Sequence, residues 1–216
     1  TDLTVDTPNL DALLAEYGMT RQEGLVIEND SNYYAYRYPQ TYLLPSLSSN
    51  DITAGITDGM YVFTPVAQGI VKGDSTDDLT LTTLLSTSST AYAMQDYAEA
   101  TTAEQGANDP NGPFNIAVAA SNSATGAKVV WVNCPNMLNS QMNSAVSGGN
   151  AQLLTSAVNW MTGEENGVVI DSKSMSAETL TVPAKATMLL GLLFTIVVPL
   201  AFIVAGIAIT LVRRRR

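Results

Sequence analysis

The chain has 216 residues, 20 acidic side chains against 10 basic ones, no histidine and one cysteine. A net charge of −10 with few lysines argues against nucleic acid as a partner, because phosphate recognition needs clustered Lys and Arg. The lack of histidine removes Ser-His-Asp and Cys-His catalysis and imidazole metal sites, and Cys134 has no second cysteine to pair with.

The first element is a helix. Thr7 caps it, Pro8 fits its first position, and Leu10, Leu13, Leu14 and Tyr17 share one face. Gly18 supplies the left-handed stop. Leu25, Val26 and Ile27 read as a short buried strand. Residues 31–45 (SNYYAYRYPQTYLLP) read as an extended loop or edge segment, with two prolines and five tyrosines. Tyr33, Tyr34, Tyr36, Tyr38 and Tyr42 make either a contact surface or a loop that covers the sheet edge with its own rings.

Asn50 to Thr53 is expected to open a short helix, and Met60 to Phe63 to form a buried strand closed by Pro65. Residues 80–87 have the β-branched content of a strand. Residues 106–113 (GANDPNGP) are a turn-rich link. Residues 114–120 and 128–132 are the strongest strand signals, joined by a short polar turn, and predict a hairpin or adjacent pair. Residues 135–150 read as a loop, 151–161 as a helix ended by Gly163, and 168–170 as a last strand before a polar lead-in. Strands alternating with helices indicate an α/β fold.

Residues 186–212 contain no charged side chain and are followed by Arg213, Arg214, Arg215 and Arg216. At about 1.5 Å rise per residue, this run crosses the roughly 30 Å hydrocarbon core of a bilayer with some tilt. Positive flanks stay on the cytoplasmic side. The expected organisation is therefore an extracytoplasmic α/β domain over residues 1–183, a transmembrane helix over 184–212 and a cytoplasmic basic tail over 213–216. All 20 acidic residues precede the span; six basic residues against them leave the outer part at −14. A translocated domain upstream of the only visible span needs a signal or another span before it. The chain starts at Thr1 with no Met, basic n-region or apolar h-region, so it is expected to be a fragment or processed product of a longer membrane protein.

Within the span, Pro199 removes one backbone hydrogen bond and is expected to kink the helix. Ala201 and Ala205 form a small-xxx-small pair, with Gly206 on the neighbouring stripe. These positions suit either packing against a partner span or exposure to lipid.

Other chemistry is thin. Cys134 follows a strand, where α/β hydrolases place a nucleophile, but its neighbours are Asn133 and Pro135 and no base is present. Asp74, Asp77 and Asp78 lack the calcium-loop ligand ladder and read as a solvated acidic turn, as does Glu164-Glu165. Gly148, Gly149 and Asn150 read as helix initiation rather than an anion site. No ATP-binding motif occurs.

Several patterns together carry a resemblance. They are PNLDALLAEYGM followed by GLVIEN, the strand KVVWVN, the stretch GGNAQLLTSAVNWMTGEENGVVIDSKS, and a terminal span closing in RRRR. The order resembles the extracytoplasmic domain and last span of Gldg-type proteins, the auxiliary or permease-associated components of ABC transport systems first linked to gliding motility. Gly149, Asn150, Leu153, Asn159, Trp160 and Gly163 match that family's helix pattern. The resemblance implies a partial glutamine-amidotransferase-like (flavodoxin-like) domain with a parallel sheet and without catalytic apparatus, lacking its N-terminal part. Where family members often carry a Gly-Asp-Ser/Asp-Phe-type turn after the strand, this chain has Asn133-Cys134-Pro135-Asn136.

The implied function is a non-enzymatic accessory subunit in the bacterial cell membrane, binding no cofactor or metal. Its outer domain would bind a substrate or an envelope partner, its span would dock on a permease, and a separate ATPase would supply hydrolysis. The alternatives are a membrane-anchored surface adhesion or structural protein, and an enzyme working through two carboxylates alone.

Overall fold

A computed structural model describes residues 5–35, 37–57, 59–163 and 183–214. Helix α1 (Pro8–Glu16) stops at Gly18, whose φ of 69° is the left-handed conformation that glycine tolerates. The Thr7 hydroxyl does not cap it. It accepts a 2.8 Å hydrogen bond from Arg21 Nη2 and donates to Asp11 Oδ2 at 3.3 Å. The expected apolar face is also narrower than its spacing suggests. Leu14 is buried, while Leu10 and Leu13 are 41% and 51% exposed, so α1 rests on the domain by one edge.

Strands β1 (Met19–Arg21) and β2 (Leu25–Ile27) follow, and β3 (Tyr42–Leu43) and β4 (Ser46–Leu47) lie at the end of the tyrosine-rich segment. No helix forms after Asn50. The Asn50 Oδ1 accepts from the backbone N–H of Ile52 (3.0 Å) and Thr53 (3.2 Å), which closes a turn instead. The strand expected over residues 60–63 is displaced to β5 (Thr64–Pro65). Val62 and Phe63 are buried as expected, but the Phe63 N–H goes to the Asn150 side chain rather than to a neighbouring strand.

Next come β6 (Ile70–Lys72), β7 (Leu79–Ser86), β8 (Tyr92–Met94), β9 (Asn115–Asn122) and β10 (Lys128–Val132). The segment expected to be a loop after β10 contains a 3₁₀ turn (Pro135–Leu138) and helix α2 (Ser140–Ala145). Asn139 supplies the missed helix start, its side chain accepting from the Gln141 N–H at 2.8 Å. Helix α3 (Gly149–Thr162) ends at Gly163 (φ 74°). The apolar run is α4 (Ala184–Leu192), a π-turn (Leu193–Val197) and α5 (Val198–Arg214). The strand expected at 168–170, Glu164-Glu165, Tyr36, Arg215 and Arg216 lie outside the described residues.

The main sheet is built on β9. Along one edge it pairs with β7; along the other it pairs with β10 and, at Asn115, with β6. Strand β1 extends the sheet beyond β6, and β4 extends it beyond β7. Two small pairs, β2 with β8 and β3 with β5, stand beside it. The α/β content is as expected, but the parallel sheet implied by the resemblance is not found: every strand pair among the described residues is antiparallel. The connection from β9 to β10 is residues 123–127, a hairpin length, whereas a parallel pair needs a crossover of a dozen residues or more.

Both faces of β9 are covered, and its residues 116–120 are all buried. Val118 and Ala120 pack with Leu14, Met19, Ile70, Leu81 and Trp131 on the α1 side. Ile116, Ala117 and Ala119 pack with Leu84, Leu85, Leu153 and Ala157 on the α3 side. The alanines let both layers approach closely. Lys128 fastens α3 to β10: its Nζ donates to the Trp160 carbonyl at 2.8 Å and lies 4.8 Å from the centre of the indole ring.

Candidate functional site

One helix, Ala184–Ile209, is long and apolar enough to cross a membrane, with a mean hydropathy of 2.8 and none of its most apolar stretch buried against the protein. A soluble core helix would be covered; this one is bare around its circumference. Pro199, Ala201, Ala205 and Gly206 are exposed, as are Arg213 and Arg214 at its end. The effect of Pro199 appears one turn upstream. Pro199 has no N–H to donate, and the Val198 N–H reaches back five residues to the Leu193 carbonyl, widening the helix into the π-turn. A second set of small residues, Thr187, Gly191 and Thr195, lines a groove of about 480 Å³ along the first half of the helix. Sequence reading singled out only the later pair.

The tyrosine-rich segment is where the apolar helix joins the domain. Ala35 forms an antiparallel bridge with Pro183, and the Lys185 N–H donates to the Ser31 carbonyl at 3.4 Å. On its other side the same segment is tied to β3 and its neighbour: the Ala35 N–H donates to Tyr42 O (3.0 Å) and the Leu44 N–H to Tyr33 O (2.7 Å). Tyr38 stacks on Tyr42 with ring centres 5.2 Å apart, and both rings meet Phe63. Tyr33 and Tyr34 are half-buried and Tyr38 is 49% exposed. The rings thus cover the segment's own underside, with Tyr38 reaching solvent.

Cys134 is sealed inside the main core, its Sγ donating to the Pro65 carbonyl at 3.2 Å. Burial pushes its thiol up to about 12, so no thiolate is available at neutral pH. Asp74, Asp77 and Asp78 sit exposed between β6 and β7, and no group of three metal-ligating side chains occurs among the described residues. Asn150 is buried in the first turn of α3 and bonded to backbone on both sides, which accounts for the Gly-Gly-Asn stretch structurally.

Two polar arrangements were not anticipated. Glu28 is fully buried, and its carboxylate accepts from Ser88 Oγ (2.6 Å), Ser88 N–H (3.0 Å) and Asp30 N–H (2.9 Å), tying β2 to the loop after β7. The other is a cavity of about 490 Å³ beside α1 and β1, whose lining includes Asp6, Arg21, Glu23, Gln68, Gln95 and Tyr97. Arg21 organises it, with Nη2 donating to Asp11 at 2.9 Å and Nη1 to Gln68 Oε1 at 3.3 Å. The available sequence signal was Arg21 itself, one of two cations before Lys72 in an acidic domain.

No family model and no curated protein matches the chain. A solved structure described as the mmIFT52 N-terminal domain is similar over 74% of this chain, with 16% sequence identity and a TM-score of 0.48. The chain spans 59% of that structure's length.

Proposed function

We propose that the chain is a non-catalytic, membrane-anchored accessory subunit of a bacterial ABC transport system. The observation that carries the anchoring is the bare apolar helix Ala184–Ile209, joined to a folded α/β domain through Pro183. In this reading the acidic domain lies outside the cell and the arginine tail in the cytoplasm, as positive flanks favour. The outer domain binds substrate or an envelope partner, and the helix docks on a polytopic permease served by a separate ATPase. The π-turn and the small residues on the helix suit close approach of another span. The sealed thiol and the lack of histidine support a binding rather than a catalytic role. The ABC association rests on the sequence resemblance.

Detergent extraction and affinity purification test the partnership: a permease and an ATPase are expected to come with the chain, and isolation of the chain alone overturns the transporter reading. Topology is tested in a Cys134→Ala background with Ser123→Cys, an exposed position in the β9–β10 turn. An impermeant maleimide is expected to label intact cells; labelling only after lysis reverses the orientation.

A further inference from the structure

We infer that the cavity beside α1 and β1 is a binding site for a neutral saccharide of one or two rings. Its volume, about 490 Å³, lies within the range of small-ligand sites. The inference rests on the outer domain being the ligand-binding part of the protein, as proposed above, and gives that ligand a chemical class.

The floor of the cavity donates hydrogen bonds. Gln68 is only 5% exposed, and its backbone is fixed by donation to the Asn133 carbonyl at 3.1 Å. Its Oε1 is taken by Arg21, which leaves the amide Nε2 without a protein acceptor and facing the cavity. The amide reaches the solvent of the cavity, where a ligand oxygen can take the place of water as its acceptor. The Arg21 side chain, 16% exposed, lies beside it with its orientation set by Asp11 and Thr7.

The rim accepts. Asp6 and Glu23 are exposed carboxylates. Gln95 donates its Nε2 to the Glu23 carbonyl at 2.7 Å, which leaves its Oε1 as a further acceptor. Gly24 makes this wall possible: at φ +97°, a Cβ there would lie 2.8 Å from the Met94 carbonyl oxygen and 2.7 Å from Gln95 Nε2. The close approach brings Tyr97 to the same opening.

The charge pattern selects among ligands. An anion would meet three carboxylates, Asp6, Asp11 and Glu23, and a single guanidinium already paired at 2.9 Å. A cation would be drawn to the Asp6 and Glu23 carboxylates at the rim but would face the Arg21 guanidinium and an amide donor at the floor. A sugar hydroxyl both accepts and donates, so a polyol satisfies donor floor and acceptor rim together. Tyr97 brings an aromatic side chain to the opening, the kind of surface on which the C–H side of a pyranose packs.

The test is titration calorimetry on the full chain in nanodiscs, avoiding glycosidic detergents. Glucose, N-acetylglucosamine and their β-1,4-linked dimers are the probes, with inorganic phosphate and spermidine as charged comparators. Saturable binding of at least one saccharide is expected, weakened tenfold or more by Gln95→Ala and by Tyr97→Ala. Both positions are half-exposed, and each variant is checked for an unchanged unfolding midpoint. No saccharide binding, binding that ignores both substitutions, or saturable binding of phosphate or spermidine alone overturns the inference. Saccharide binding by a chain that co-purifies with no transporter component leaves this site standing and removes only the ABC association.

Discussion

Asn150 and Phe63 exchange two hydrogen bonds across 87 positions of sequence. The Phe63 N–H donates to Asn150 Oδ1 at 2.8 Å, and Asn150 Nδ2 donates to the Phe63 carbonyl at 2.9 Å. A third bond runs from Nδ2 to the Met137 carbonyl at 3.0 Å. The side chain therefore stands in for a neighbouring strand, and it anchors α3 to the segment before β5. Asn150→Ala is expected to destabilise the domain by about 3 kcal/mol, since it strands buried backbone groups. Urea unfolding, followed by the tryptophan fluorescence of Trp131 and Trp160, measures it. Asn150→Asp retains the acceptor but not the donor and is expected to fall short of wild type as well.

Stability is expected to fall at alkaline pH. The folded protein holds the Cys134 thiol protonated up to about 12, against an ordinary value of 9.0, because burial disfavours the thiolate. A raised folded-state value means that the contribution is complete below pH 9 and is lost as pH rises toward 12. Tyr92, also raised by burial, acts in the same direction. Unfolding midpoints measured from pH 8 upward should decline, and Cys134→Ala should flatten the decline. A thiol reagent at neutral pH is expected to modify the native protein only at the rate of unfolding.

Glu28→Ala is expected to cost roughly 3 kcal/mol, because the Ser88 and Asp30 donors lose a buried, charged acceptor. Glu28→Gln keeps the shape and one acceptor oxygen and should cost less. Thermal unfolding of the two variants gives the comparison, and equal losses would show that the charge carries the whole effect.

Two glycines separate crowding from backbone conformation. A Cβ at Gly149 would fall 2.1 Å from the Tyr61 carbonyl oxygen, a contact that cannot stand unless α3 moves. At Gly163 nothing lies within 4 Å, but φ is +74°. Gly149→Ala is expected to lose more than 2 kcal/mol through displaced packing, and Gly163→Ala about 1 kcal/mol through left-handed strain. Their denaturation midpoints should rank in that order.

The sequence was most readable where a single local rule decided the outcome. The strongly apolar strands β9 and β10, the Gly18 and Gly163 stops and the uncharged terminal run needed no knowledge of distant residues. Leu10 and Leu13 misled because helical spacing shows which residues share a face, not whether anything packs against it. The strand expected at residues 60–63 shifted because its hydrogen bonds are made by Asn150, far along the chain. Helix α2 was hidden by its Asn and Ser content, although Asn139 is an ordinary cap. The Gln68–Arg21 cavity was invisible for a related reason: β1, the segment before β6 and the turn after β8 meet only once the chain is folded.

The clip between Ala35 and Pro183 closes one residue before the apolar helix begins. Its effect is mechanical. The globule is mounted on the apolar helix as on a bracket, and a shift of residues 31–35 is passed to the first helical turn instead of being lost in slack chain. Any event that pulls on β3 would thus be felt as a tilt or rotation of the apolar helix.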